Sequence, residues 1–87
     1  MPYTVSVKPK AEKYLAGIRD MHLYQRLRDA IGALAADPRP PGGIKMQGGN
    51  ELYRVRVGEY RIIYQISDAA LVVLVVQIGH RRDVYRQ

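Results

Sequence analysis

The sequence predicts a single α+β domain over residues 1–87: an antiparallel sheet of about four strands with an N-terminal helical hairpin packed on one face, in the order β-α-α-β-β-β. Three observations lead there. Tyr3–Lys8, Leu52–Val57 and Tyr60–Tyr64 alternate apolar and polar residues with period two, as half-buried strands do. Between the first and second of these lie two stretches with apolar residues at helical spacing. Leu71–Ile78 is apolar and β-branched on both faces, the pattern of a strand inside a sheet.

In the first strand Tyr3, Val5 and Val7 share a side. Pro9 suits the first position of a helix, where its missing N–H costs nothing, and Ala11, Tyr14, Leu15 and Ile18 then form one stripe. Gly17 weakens that helix by up to about 1 kcal/mol relative to Ala, or lets another backbone come close. Asp20-Met21-His22 makes a short break. The second helix places Leu23, Leu27, Ala30, Ile31 and Leu34 on one face, with Arg26 and Arg28 towards solvent. It ends near Asp37, because Pro38, Pro40, Pro41, Gly42 and Gly43 follow.

Residues 38–50 read as an irregular connector. Its glycine pairs lack the spacing of a Walker or Rossmann phosphate loop, and no helix signal follows them. Lys45 remains within reach of a neighbouring site. In the hairpin, Gly58-Glu59 suits a type II′ turn that sets Val57 against Tyr60, Arg56 against Arg61, Val55 against Ile62 and Tyr53 against Tyr64. Ser67-Asp68-Ala69 turns the chain into the apolar strand, Gly79 ends it, and a basic tail with one helical turn puts Arg81 and Tyr85 on a common face.

Composition removes several classes of chemistry. There is no cysteine, so disulfides, thiolate metal sites and cysteine nucleophiles are excluded. His22 and His80 sit in unrelated segments and suggest no metal site; Ser6 and Ser67 suggest no nucleophilic triad. No cofactor motif is present. The longest apolar run, Ala69–Val76, is too short to span a membrane, which makes a membrane partner a minor reading, and the lack of cysteine fits a cytoplasmic protein. The net charge of +6 is spread evenly through the chain and favours an acidic partner.

The hairpin carries the strongest functional signal. Its apolar side covers a core, and its other side gathers Arg54, Arg56 and Arg61. Two like charges about 5 Å apart repel by roughly 0.8 kcal/mol in water and about 3 kcal/mol at an effective dielectric near 20. Solvated charge is the ordinary explanation of a basic face, and Arg82 and Arg86 are read that way. Arginines set directly opposite one another weaken a sheet without structural return, so the hairpin is read as a receptor for an anion. Arginine matches phosphate oxygens with a planar fork of donors and stays charged. Several around a phosphodiester can stabilise a pentacoordinate transition state without a metal.

Leu-Tyr-Arg-Val-Arg-Val-Gly-Glu-Tyr-Arg-Ile-Ile-Tyr (52–64) and Gly-His-Arg-Arg-Asp-Val-Tyr (79–85), spaced around an apolar strand, resemble the RelE family of toxins from bacterial and archaeal type II toxin–antitoxin pairs. The resemblance implies a ribosome-dependent endoribonuclease that cuts mRNA in the A site by 2′-OH attack on the adjacent phosphate. By position, Arg61 would stabilise the transition-state phosphate, Arg81 would contact the scissile phosphate or aid the leaving group, and Tyr85 would stack on the base and align the 2′-OH. Arg54 and Arg56 stand where the best-known member has lysines. Arginine cannot readily move a proton, so these two are expected to bind phosphate and ribosomal RNA, with Lys45 and His80 as further contacts. Some relatives use a histidine near the C-terminus, which makes His80 a candidate for proton transfer. An acidic or amphipathic antitoxin is implied as partner. The alternatives are a gyrase-binding inhibitor like the ParE toxins, which share the fold, and a basic RNA-binding module without activity.

Overall fold

The computed structural model describes residues 2–47 and 51–80. Its elements are β1 (Thr4–Val7), α1 (Pro9–Ala16), α2 (Met21–Ala33), β2 (Ile44–Lys45), β3 (Leu52–Val57), β4 (Tyr60–Ser67) and β5 (Val72–His80). The α+β architecture agrees with the sequence reading, but the sheet differs in two ways. It has five strands in the order β1-β5-β4-β3-β2, because Ile44 and Lys45, inside the expected connector, pair with Arg54 and Tyr53. It is also mixed: β1 runs parallel to β5, while the other neighbours are antiparallel. Parallel neighbours need a long crossover, and the chain from α1 to β4 supplies one. β5 lies between β1 and β4, as its apolar character requires.

Asp20 is the N-cap of α2 rather than part of a break. Its carboxylate accepts from the amides of His22 (3.0 Å) and Leu23 (3.2 Å), two donors the first turn would otherwise leave unmet. Arg28 is not simply solvated: its guanidinium reaches Glu12 on α1 at 2.8 Å and the Tyr24 hydroxyl at 3.0 Å. That contact joins the two helices. Ala11, Leu15, Leu27, Ile31 and Leu34 form the helical half of the core, against Tyr53, Val57, Ile62, Tyr64, Ile66, Val73, Val75 and Ile78 from one sheet face.

The hairpin register is the expected one, with Arg56 opposite Arg61 and Tyr53 opposite Tyr64. Gly58 takes φ +60, while Glu59 is not among the positive-φ residues, a combination that fits a type II′ turn and not I′. Between β4 and β5 the register slips: Ile63 faces Gln77, but Tyr64 faces Val75. The extra residue on β5, Val76, resets the alternation, so that Ile78 and Val75 both face the core. A segment apolar throughout tolerates such a phase change, since either face accepts its side chains.

The connector after α2 is stapled to the sheet. The Tyr64 hydroxyl donates to the Pro38 carbonyl at 2.8 Å, and Tyr64 is fully buried. Arg39 makes a two-pronged contact with Asp68 (3.2 and 2.9 Å), and the Tyr3 hydroxyl donates to the same carboxylate at 2.6 Å. Arg39 also lies 5.3 Å from the Tyr53 ring centre. Arg39 and Tyr3 hold the exposed Asp68 carboxyl below its usual range. These groups link β1, the connector, β3 and the β4–β5 turn; among the described residues no helix covers the opposite sheet face.

Candidate functional site

Paired residues of a sheet point to the same side, so the register assigns every candidate to a face. Arg54 pairs with Ile63 and Ile44, Arg56 with Arg61, and Arg61 with Gly79. These side chains occupy the face away from the helices. Arg56 is exposed, Arg54 is half-buried, and Arg61 is only 4% exposed. Gly79 opposite Arg61 brings no side chain of its own to compete for that space. Holding a guanidinium so deep costs desolvation, and the result is a buried cation beside an exposed one. Leu52, Leu74 and the exposed Ile44 share this face with the buried Ile63, so the arginines border an apolar strip.

Two expected contacts turn the other way. Lys45 pairs with Tyr53 and lies on the helix side at the sheet edge, with its ammonium 3.8 Å from Glu51. His80 pairs with Tyr60, and the two rings meet edge to face at 5.2 Å. Neither belongs to the group formed by Arg54, Arg56 and Arg61. A single strand's alternation cannot reveal this, since it depends on the partner's register. Arg81 and Tyr85 lie outside the described residues.

Tyr60, read from sequence as core cover, has a second role. With Lys13, Tyr14, Ile18, Arg19 and Leu23 it lines a cleft of about 520 Å³ where α1, α2 and the hairpin meet. The helical stripe that includes Tyr14 and Ile18 was legible. Its meeting with Tyr60 was not, because these residues are more than 40 positions apart in sequence.

A family model described as the ParE toxin of the type II toxin–antitoxin system parDE matches residues 5–85. The chain belongs to the RelE/ParE toxin superfamily. This RelE/ParE chain is 30% identical to Toxin RelG of Mycobacterium tuberculosis over the whole of both sequences. The crystal structure of the archaeal RelE–RelB complex from Pyrococcus horikoshii matches with a TM-score of 0.81 at 30% identity, covering 95% of this chain and 99% of the other. The toxin–antitoxin complex RelBE2 of M. tuberculosis matches at 0.76 and 27% identity, over 93% and 100% of the two chains. The mixed sheet and helical pair are thus the RelE/ParE architecture, and the protein is a toxin of a type II toxin–antitoxin system.

Proposed function

We propose that this toxin is a ribosome-dependent endoribonuclease that cuts mRNA in the A site without a metal or cofactor. The observation that carries the reading is the opposition of Arg56 and Arg61 on the sheet face opposite α1 and α2, with Arg61 held nearly buried. The 2′-OH gives up its proton to solvent and attacks the adjacent phosphorus, the bond to the 5′-oxygen breaks, that oxygen takes a proton from solvent, and a 2′,3′-cyclic phosphate and a 5′-hydroxyl remain. Arg61 stabilises the additional negative charge as a preorganised donor. Arg81 contacts the scissile phosphate or the leaving oxygen, Tyr85 orients the base, and Arg54 and Arg56 hold flanking phosphates. Arginine does not take the 2′-OH proton. The position of His80 beside Tyr60, away from the three arginines, makes it a poor choice for that role as well.

The partner is an antitoxin. The P. horikoshii and M. tuberculosis relatives were each crystallised in toxin–antitoxin complexes. An amphipathic acidic segment suits the sheet face opposite α1 and α2, its apolar side on Ile44, Leu52 and Leu74 and its carboxylates at the arginines. Inhibition then needs only occlusion.

The test is primer extension on mRNA under translation in a purified bacterial system, with wild type and Arg61→Ala. New ends at in-frame A-site positions are expected, lost without ribosomes and reduced on the order of 10²–10³-fold in the variant, as for removal of one transition-state donor. Intact mRNA at protein excess refutes the reading. The description of the matching family model as a ParE toxin favours a second reading, gyrase inhibition by binding, which a supercoiling assay with the same protein decides.

A further inference from the structure

The cleft beside Tyr60 is absorbed by none of the roles above. Lys13 and Arg19 are exposed at it, and Tyr14, Ile18, Leu23 and Tyr60 are half-buried around it. Its volume of about 520 Å³ falls within the range of small-ligand sites. The carboxylate of Asp20, also in the lining, is turned to the first amides of α2. A side chain added at Gly58 would sit 3.5 Å from the Arg26 guanidinium, so that cation lies against the hairpin turn. Immediately beyond the turn are Arg56 and Arg61. Lys13 and Arg19 at the cleft, Arg26 against the turn and the exposed Arg56 beyond it set a path of cations at intervals from the helix side to the other face, with the exposed Glu59 carboxylate also at the turn.

We propose that single-stranded RNA follows this path, with one base stacked on tyrosine in the cleft and its flanking phosphates at Lys13 and Arg19. The inference rests on the ribonuclease reading for the choice of RNA as the polyanion. A positive groove with aromatic platforms is the general means of holding a single strand without reading its sequence. A cleft made for one acidic peptide side chain would need neither two tyrosines nor this volume. The path also gives the toxin a hold on the strand outside the reacting nucleotide.

Binding of a 3′-fluorescein oligoadenylate of about twelve nucleotides, within the usual range for single-strand sites, is followed by anisotropy with the full-length protein and no ribosomes. Lys13→Ala/Arg19→Ala is expected to lower affinity about 10-fold and to reduce the slope of log K against log salt by about 1.4, for two single-strand phosphates. Tyr60→Leu is expected to lower affinity about 5–10-fold with the slope unchanged, the signature of lost stacking. Lys8→Ala/Lys10→Ala removes equal charge near the start of α1 and should cost less than about 2-fold.

A cleft pair no weaker than that control overturns the proposal. Both of its side chains are exposed, so this arm is decisive even if Tyr60→Leu does not fold. If the cleft pair keeps RNA affinity but loosens the complex with a co-expressed antitoxin, the cleft belongs to a protein partner and the proposal falls. Intact mRNA in the translation assay, together with weakened oligoadenylate binding by the cleft pair, would sink cleavage and leave the path standing.

Discussion

Replacing Tyr64 with phenylalanine tests how the connector is held to the sheet. Tyr64 is 0% exposed and its hydroxyl donates to the carbonyl of the buried Pro38 at 2.8 Å. Tyr64→Phe keeps the ring and leaves that carbonyl without its donor, a loss of about 1–2 kcal/mol at neutral pH. Burial also pushes the Tyr64 hydroxyl from 10.0 up to about 12. Its folded value lies above its unfolded one, so its contribution is complete below pH 10 and lost as pH rises towards 12. At about pH 11, one unit past the unfolded value, the loss is about 1.4 kcal/mol. Phenylalanine cannot ionise and escapes it. Urea unfolding of both proteins at pH 8 and 11 therefore measures a double difference in which every other titrating group cancels. The gap between wild type and variant should shrink from about 1–2 kcal/mol to near zero. A gap unchanged at pH 11 would refute the claim that desolvation holds the proton on Tyr64.

Three further outcomes are expected. Arg39, then Tyr3, lowers the Asp68 carboxyl, so this group's contribution is full above the ordinary carboxylate range and is lost as pH falls through its folded value. Asp68→Asn should flatten the acid limb of a thermal-melt pH series, and an unaltered limb would contradict the network. Gly58→Ala puts a side chain at φ +60 and should destabilise the hairpin by about 1–2 kcal/mol, measured by urea unfolding, with Gly58→Asn milder; equal costs for both would discount the backbone argument. Arg56→Thr removes one of two opposed charges and adds a strand-favouring residue, so stability should rise by about 0.5 kcal/mol while mRNA cleavage or RNA affinity falls. A variant that is less stable would show that the opposition costs nothing.

The hairpin was legible because its information is local. Alternation set which residues of Leu52–Tyr64 share a side, and Gly58 set the turn, so the arginine group followed without knowledge of the rest of the fold. The helical stripes were legible for the same reason, and composition alone ruled out thiol chemistry and disulfides. The direction of β1, the pairing of Ile44 and Lys45, and the slip at Val76 were not legible, since strand direction and neighbour leave no mark in a period-two pattern. The faces of Lys45 and His80 followed from those pairings, and this is why two residues expected beside the arginines lie on the other side. The cleft needed more still, joining α1, α2 and Tyr60 across long loops. Local pattern fixed which side chains each element could offer. Which of them meet was left to the folded arrangement, because meeting depends on register and packing between segments that no local pattern connects.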